Sequence, residues 1–324
     1  MTLLQVEDLT TSFDTDRGEL RAVSGVSLEL DRGRTLGIVG ESGSGKSVLT
    51  RSIMGIQPRG PLARYDGHVW FDGVDLMSLP PRELRSIWGR RIGLVPQDPM
   101  GALNPVVRIG RQITEVLRYQ FDHDRRRATS MAVDLLEQVG IPDAADRLRD
   151  YPHQLSGGMR QRVAITMALA GEPDMLIADE PTTALDVTVQ AEILALLRRL
   201  QRERDMAMIL VSHDLAVVGG LSDEIAVMYA GRIVERAAAH VVLHHARMPY
   251  TAALMVSTPR LEHARHTRLA VIPGRPPDLI SPITGCPFRP RCDRATERCA
   301  VLDPPLGGVG GHEYACWEPI DDGW

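Results

Sequence analysis

Lysine is nearly absent from this chain of 324 residues, because Lys46 stands alone and arginine supplies every other one of the 37 Lys and Arg residues. GTPases recognise their base with an Asn-Lys-x-Asp motif. No lysine is left here to complete such a motif, so the sequence excludes a GTPase. Lys46 therefore marks a position where a compact ammonium group is needed rather than the planar guanidinium of arginine.

Other features that the sequence lacks exclude further classes of protein. No apolar run approaches the roughly 18 residues of a membrane-spanning helix. The net charge is −5, so no overall positive potential favours the binding of nucleic acid. Acids stand early in the chain, at Glu7 and Asp8, and the basic leader of a secretion signal is missing. We expect a cytosolic protein that binds no nucleic acid.

Lys46 lies in a glycine-rich segment that fits the phosphate-binding pattern G-x-x-x-x-G-K-[ST]. The segment comprises Gly40, Glu41, Ser42, Gly43, Ser44, Gly45, Lys46 and Ser47. A short buried strand over 35–39 and a helix over 47–54 are predicted on either side, which is the context that this pattern requires. In such a loop backbone N–H groups bind phosphate, and the hydroxyl of Ser47 is offered to Mg²⁺. The segment predicts a nucleotide site.

Short apolar segments alternate with helical patterns through most of the chain. Residues 3–30 have the pattern of antiparallel strands joined by a turn. The predicted buried strands further along are 92–96, 175–178, 208–211 and 225–228. The predicted helices cover 108–150 with a break at Pro142, 158–170 and 187–204. This alternation predicts an α/β fold with a mostly parallel sheet as its core.

Two acids follow the predicted strand at 175–178. An acid at the end of a buried strand beside a phosphate loop is the Walker B position, where Asp179 would belong to the Mg²⁺ shell. Glu180 is then placed to orient and deprotonate the attacking water, and a general base is worth roughly 10²–10⁴-fold in rate. An isolated Asp-Glu pair is more often a strand that ends in a turn. The surrounding sequence decides between these interpretations.

Further motifs stand on both sides of the acidic pair. Leu155-Ser156-Gly157-Gly158 opens a predicted helix, and its two glycines let a backbone approach phosphate closely. Gln97, Asp186 and His213 complete the series along the chain. In order and spacing the series resembles the ATP-binding-cassette (ABC) ATPases over roughly residues 3–255. The resemblance implies a P-loop NTPase of the ABC cassette type, with an antiparallel β subdomain, a helical subdomain at about 98–170, and ATP and Mg²⁺ as ligands.

The same resemblance implies a role for each of these residues. Gln97 contacts Mg²⁺ and the catalytic water, and His213 contacts the γ-phosphate. The signature serine and glycines close on the ATP of a second cassette, and Asp186 crosses between the two cassettes. A monomer is therefore expected to hydrolyse ATP poorly. Phe13 lies near the family's adenine-stacking aromatic, and a phenylalanine of the strand core is an equal alternative.

Neighbouring segments resemble one branch of the family, the importers of dipeptides, oligopeptides and related solutes. Met159 replaces the glutamine common at its position, and residues 96–105 and 151–155 follow the branch's pattern. The resemblance implies a peripheral subunit on the cytoplasmic face of the membrane, with two permease subunits and an extracytoplasmic solute-binding protein. The second cassette is expected to be a homologue, or else another copy of this chain. An importer of a metal or another small solute and a soluble regulatory ATPase remain alternatives.

Cysteine is absent from the first 285 residues and then occurs four times, at Cys286, Cys292, Cys299 and Cys316. Disulfides are disfavoured in the cytosol, so the cluster indicates a metal or an iron–sulfur cluster. The close cysteine pairs of structural zinc sites are missing, and the wide spacing suits a cubane better. The first two cysteines also resemble the C-terminal extension in which some peptide-importer ATPases carry a [4Fe–4S] cluster. Zinc and no metal are the alternatives, and His312 is expected at the surface rather than as a substitute ligand.

The composition changes after about residue 260, where proline and glycine become frequent. We expect an ABC nucleotide-binding domain over 1–258 and a small irregular extension over 259–324. Only about 110 residues separate the phosphate loop from the signature. That length excludes the long coiled coil of chromosome-maintenance and DNA-repair ABC proteins, and a single cassette excludes the two-cassette translation factors.

Overall fold

The computed structural model describes residues 1–56, 63–183, 185–257 and 271–320. The chain divides into two compact units. The helical unit comprises Met1, Asp31–Arg34 and Ser78–Ile209. The P-loop unit comprises Thr2–Leu30, Thr35–Met77 and Leu210–Trp324.

Strands and helices alternate through most of the described residues. The strands are β1 Thr2–Thr15, β2 Gly18–Asp31, β3 Thr35–Val39, β4 Ala63–Phe71, β5 Val74–Asp75, β6 Ile92–Val95, β7 Met175–Asp179, β8 Ala207–Ser212, β9 Glu224–Tyr229, β10 Arg232–Ala238, β11 Gly307–Val309 and β12 His312–Tyr314. The helices are α1 Lys46–Ile53, α2 Pro81–Ile87, α3 Pro99–Ala102, α4 Ile109–Phe121, α5 Arg125–Gln138, α6 Ala144–Arg147, α7 Gly157–Leu169, α8 Val187–Glu203, α9 Leu215–Gly219, α10 Ala239–His244, α11 Pro249–Ser257 and α12 Glu297–Val301. Short 3₁₀ turns occupy Pro152–Gln154 and Arg289–Arg291.

The helical unit contains the parallel pair β6 and β7. The register joins Val95 to Ala178, so the two strands end at the same edge of the pair. Before β7 the chain passes very close to the end of α2, and a Cβ on Gly171 would come within 1.5 Å of the carbonyl oxygen of Gly89. Only glycine permits this approach, which brings the end of α7 beside the start of β6.

Polar side chains cap the first turns of α5, α7 and α8 in the helical unit. Asp124 accepts a hydrogen bond from the N–H of Arg127 at the start of α5. Ser156 accepts one from Met159 at the start of α7, and Asp186 accepts one from Val189 at the start of α8. Each cap satisfies a backbone donor that has no partner inside its helix, and so sets where the helix begins.

The P-loop unit contains an antiparallel sheet with the strand order β2-β1-β4-β5. A bulge between Glu7 and Thr10 interrupts the pairing of β1 with β4. In the same unit β3 runs parallel to β9, with Val39 paired to Val227. Ala230 and Gly231 connect β9 to β10 with φ angles of 49° and 79°. Two positive φ angles in a two-residue connection are typical of the tight turn that suits the twist of a hairpin.

The C-terminal extension adds strands to the P-loop unit. Within this unit β11, β12, β10, β9 and β3 are neighbours in that order, and Glu235 on β10 pairs with Tyr314 on β12. The fully buried Glu235 carboxylate accepts hydrogen bonds from the N–H groups of Arg247 and Met248 and contacts His312 Nε2 at 2.7 Å. The expectation of a surface His312 is wrong, since its side chain is 15% exposed and bound to this acid. The domain boundary at 258/259 stays a prediction.

The predicted secondary structure is confirmed in kind and in order. The helix expected over 47–54 is α1, the helical pattern over 108–150 forms α4, α5 and α6, and Pro142 lies between the last two. The predicted antiparallel strands over 3–30 are β1 and β2. Among the helices of the described ranges, none is long and apolar enough to cross a membrane.

Candidate functional site

The phosphate-binding segment Gly40–Ser47 connects β3 to α1 inside the P-loop unit. Gly43 and Gly45 have φ angles of 82° and 102°, which side chains with a Cβ rarely adopt. A Cβ on Gly40 would come within 2.2 Å of the carbonyl oxygen of Met228 on the neighbouring β9. The glycines therefore allow a tight backbone loop that rests against the end of β9.

Lys46 is the first residue of α1 and is only 5% exposed. Its Nζ donates hydrogen bonds to the carbonyl oxygens of Gly40 and Glu41, at 2.8 and 3.0 Å. These acceptors belong to the start of the same loop, so the ammonium group lies across the loop. A guanidinium in its place would be wider and would seek a bidentate partner instead of two backbone carbonyls.

The loop also has groups suited to phosphate oxygens. Ser44 Oγ is buried and has no hydrogen-bond partner among the residues that the structure describes. Ser47 follows Lys46 in the first turn of α1, where helix N–H groups favour anions. A buried hydroxyl that lacks a protein partner fits a site whose remaining acceptor comes from a ligand.

Glu41 is bound on two sides by residues that follow β10 in the chain. Arg291 Nη1 donates to Glu41 Oε2 at 2.6 Å, and Arg291 Nη2 donates to Glu41 Oε1 at 2.9 Å. The backbone N–H of Glu41 donates to the Tyr250 hydroxyl at 2.9 Å. The Glu41 carboxylate, as a hydrogen-bond partner, raises the pKa of Arg291, while burial raises the pKa of Tyr250.

The helical unit brings together the two residues predicted to handle the attacking water. Gln97 stands two residues after Val95 and Glu180 two residues after Ala178, and the parallel register pairs those strand residues. Gln97 Nε2 accordingly donates to Glu180 Oε2 at 3.1 Å. The Thr183 hydroxyl donates to the same oxygen at 2.9 Å. Hydrogen bonds from Gln97 and Thr183 thus orient the carboxylate of Glu180.

Glu180 also has an unusual backbone. Its φ angle is 46°, in the left-handed region that a residue with a side chain seldom occupies. Asp179 before it is the last residue of β7 and is 3% exposed. Strained backbone is often retained at functional sites, because the strain orients a side chain. Here the sharp turn presents Glu180 beyond the strand while Asp179 stays in the strand's buried end.

The signature glycines lie close to Leu185 and to the first turn of α8 within the helical unit. A Cβ on Gly158 would come within 2.7 Å of Val189 on α8, and one on Gly157 would meet Leu185 at 3.5 Å. Ser156 and Asp186 both cap their own helices through their side chains. Within this chain, therefore, both residues organise helix starts, and their predicted contacts across a second cassette stay predictions.

His213 and Phe13 belong to the P-loop unit. His213 directly follows β8 and is exposed, and Asp214 beside it begins α9 by accepting from the N–H groups of Ala216 and Val217. Phe13 lies half-buried on β1, paired with Ala63 on β4. The roles proposed for His213 and Phe13 toward ATP remain predictions.

All four cysteines are free thiols in the P-loop unit. Burial raises the pKa of Cys286 and Cys292, and raises the pKa of Cys316 to about 12; neighbouring cysteines add to each rise. The N–H of Cys286 also donates to the carbonyl oxygen of Cys299 at 2.9 Å, which brings these two residues together. Within the described ranges, however, no group of three or more His, Cys, Asp or Glu side chains is arranged to hold a metal ion.

Three residues of the observed arrangement were not predicted from the sequence. Thr183 contacts Glu180, and Tyr250 and Arg291 contact Glu41. Thr183 stands three residues after Glu180, a spacing at which a turn brings a hydroxyl back to the acid. No local pattern distinguishes Arg291 from the other arginines, since its partner lies 250 positions away.

Comparison with known proteins shows which families this chain is similar to. The ABC transporter family matches residues 23–183, and the family described as the oligopeptide/dipeptide transporter C-terminal region matches residues 234–299. The chain is 47% identical over 312 residues to the oligopeptide transport ATP-binding protein OppD of Bacillus subtilis, covering 96% of this chain and 87% of that protein. It is 46% identical to the dipeptide transport ATP-binding protein DppD of the same organism, covering 97% and 94%.

Solved structures show the same likeness. One is an ATP-binding cassette solved as a dimer in a post-hydrolysis state with ADP and Pi. It is 26% identical to this chain, with a TM-score of 0.66, and the match covers 73% of this chain and 98% of that one. The predicted ABC cassette fold is therefore confirmed.

Replacement of Lys46 by arginine tests the geometry of the loop. We expect Lys46→Arg to lower ATP hydrolysis by about 10²–10³-fold, because a wider cation cannot take the same place across the loop and at the phosphates. Phosphate release measures the effect. Arg51→Lys, an exposed exchange at the last turn of the same helix, is the matched control and should leave the rate unchanged. Full activity in Lys46→Arg would contradict this role of the lone lysine.

Replacement of Glu180 by glutamine tests the predicted base. We expect Glu180→Gln to lower turnover by about 10²–10⁴-fold while ATP still binds and holds a dimer of cassettes, because the amide cannot accept the proton of water. Turnover and the size of the ATP-bound species are the measurements. Glu172→Gln is the matched control, since Glu172 is an exposed acid with a φ angle of 54° before the other end of β7. Near-normal hydrolysis in Glu180→Gln would rule out the base.

Proposed function

The chain belongs to the ABC transporter family, and from this premise we propose that it is the ATPase subunit that energises an importer of dipeptides or oligopeptides. The contact between Gln97 and Glu180 is the main support for the ATPase part of the proposal. It orients the carboxylate of Glu180, which has a left-handed backbone and directly follows the buried Asp179. The match of residues 234–299 to the oligopeptide/dipeptide transporter C-terminal region supports the peptide class of solute.

The proposed reaction assigns a task to each residue. Backbone N–H groups and Lys46 of the loop bind the phosphates, and Glu180 accepts a proton from the water that attacks the γ-phosphate. Ser47, Gln97 and Asp179 are the residues that would hold Mg²⁺. Bound there, Mg²⁺ would offset negative charge on the phosphates during transfer. His213 is proposed to contact the γ-phosphate.

The site is proposed to be complete only in a pair of cassettes. The signature Ser156-Gly157-Gly158 would close on ATP held by a second cassette, with Asp186 between the two. A homologous cassette is favoured as the partner, and a second copy of this chain is the alternative. The solved relative with ADP and Pi is described as dimeric, which supports such pairing.

The pair is proposed to dock on two membrane permease subunits at the cytoplasmic face of the membrane, fed by an extracytoplasmic solute-binding protein. Residues 1–258 would form the cassette, and residues 259–324 the extension. The names of the relatives OppD and DppD, transport ATP-binding proteins for oligopeptides and dipeptides, support this assembly.

Coexpression of the chain with the products of its neighbouring genes tests the importer. We expect the chain to purify with membrane permeases, and peptide-loaded binding protein to raise ATP hydrolysis of the complex in vesicles. Phosphate release with and without peptide is the measurement. Stimulation by a metal or another small solute in place of peptide would overturn the peptide assignment. Failure to associate with any permease would overturn the importer itself.

We also propose that the four thiols bind a [4Fe–4S] cluster, with zinc as the alternative. The donor set fits in type and number, because the four cysteines are free thiols and the backbones of Cys286 and Cys299 are hydrogen-bonded to each other. The described side chains form no ready ion site, so binding requires them to draw together and to release protons. The cluster would supply crosslinking of the extension, and no step of ATP hydrolysis depends on it.

Purification without oxygen tests the cluster. We expect iron and sulfide in the wild type and a brown absorbance that is lost in Cys292→Ser, because each thiolate is a ligand. Iron analysis and visible spectroscopy are the measurements. Asp293→Asn changes the exposed neighbour of Cys292 and should keep the colour. A colourless, iron-free wild type contradicts the cluster, and stoichiometric zinc in its place supports the alternative.

A further inference from the structure

Glu41 of the phosphate loop makes an ion pair with the extension. Two parallel hydrogen bonds join its carboxylate to Arg291, at 2.6 and 2.9 Å. The Tyr250 hydroxyl accepts the Glu41 backbone N–H at 2.9 Å. Both the side chain and the backbone of Glu41, the second residue of the loop, are therefore hydrogen-bonded. Their partners, Arg291 and Tyr250, lie more than 200 positions away in sequence.

Arg291 is itself fixed before it meets the loop. Its side chain is 2% exposed, and its Nε donates to the carbonyl oxygen of Pro273 at 2.8 Å. The guanidinium lies 5.9 Å from the ring centres of both Tyr229 and Phe288. These contacts leave the planar fork with one orientation, and that orientation points both outer nitrogens at Glu41.

The residues around the guanidinium form a packed aromatic group. The ring centres of Tyr229 and Tyr250 are 4.5 Å apart, and Phe288 lies 5.4 and 5.3 Å from them. We call Tyr229, Tyr250, Phe288 and Arg291 the Glu41 clamp. Because Phe288 and Arg291 belong to the extension and Tyr229 ends β9, the clamp joins the extension to the strand beside the loop.

The pairing is hard to explain by stability alone. A buried ion pair is often no more stabilising than apolar residues of similar volume, because both charges lose their hydration. It does confer orientation, since a bidentate guanidinium–carboxylate contact fixes both planes. The orientation falls on a loop whose Gly43 and Gly45 have wide backbone freedom and whose N–H groups must converge on phosphate.

We propose that Arg291 is a positioning residue for the phosphate loop, acting through Glu41 to hold the loop in the shape that binds the phosphates of ATP. The inference rests on the proposed binding of ATP by residues 40–47. A loop that is ordered before binding loses less conformational entropy when ATP arrives, so the clamp strengthens binding without touching the nucleotide.

Substitutions of Arg291 in the full chain test this role. We expect Arg291→Ala to raise the Kd for the Mg²⁺ complex of the non-hydrolysable analogue AMP-PNP about tenfold, or about 1.4 kcal/mol. Arg291→Lys keeps the charge and most of the stem but loses the fork, and should weaken binding by an intermediate factor. Calorimetry gives the Kd, and a thermal melt verifies that each variant is folded. Arg289→Ala, an exposed arginine of the same 3₁₀ turn, should bind as the wild type does.

A Glu41→Gln background separates positioning from a general effect on folding. If Arg291 acts through the carboxylate, Arg291→Lys should change the Kd less than twofold in that background. In the assembled complex, Arg291→Lys should raise the KM for ATP while changing kcat less than about twofold, because the clamp acts on binding. An equal loss of affinity in both backgrounds would overturn the proposal, as would an unchanged Kd in Arg291→Lys or Arg291→Ala.

The same titrations distinguish failure of the premise from failure of the inference. A wild type that does not bind AMP-PNP would refute the proposed nucleotide site, and the role of Arg291 with it. A wild type that binds normally, with Arg291 variants that bind equally well, would refute the positioning role alone.

Discussion

Parallel strand pairing is the constraint on which the chemistry of both units depends. Parallel strands end at the same edge, so residues that follow paired strands emerge side by side. In the helical unit this register brings Gln97 to Glu180, and the left-handed backbone of Glu180 orients its side chain. In the P-loop unit the pairing of β3 with β9 brings Gly40 against the carbonyl of Met228, where any side chain would collide.

The second organising contact is the pair of Glu41 and Arg291. It places a charged bond between the phosphate loop and the extension in a region otherwise filled by aromatic rings. A packed, desolvated setting makes such a bond orienting rather than merely attractive. This clamp and the buried Glu235, which binds His312, are among the contacts that join the extension to strands of the P-loop unit. Both connections involve a carboxylate with several donors.

The thiols show how a composition signal and a geometry can differ. Four cysteines in a short C-terminal stretch predict a metal cofactor, and the fold brings two of them together, since the N–H of Cys286 donates to the carbonyl oxygen of Cys299 at 2.9 Å. Burial raises the pKa of Cys286 and Cys292, and that of Cys316 to about 12, so a metal would have to displace protons from these thiols. Among the described side chains no ion-binding arrangement is formed, so the binding of a metal would require the thiols to draw together.

The sequence by itself determined the family, the order of strands and helices, and the motif residues. Hydrophobic periodicity and motif spacing can be read along the chain without knowledge of its tertiary contacts. It predicted that Gln97 and Glu180 serve one reaction, but only the register of β6 and β7 put them at 3.1 Å. Only the tertiary structure decided that Glu41 meets Arg291 across 250 positions. Charge complementarity could not select that partner among so many arginines, since the choice depends on how Pro273, Phe288 and Tyr229 enclose one guanidinium.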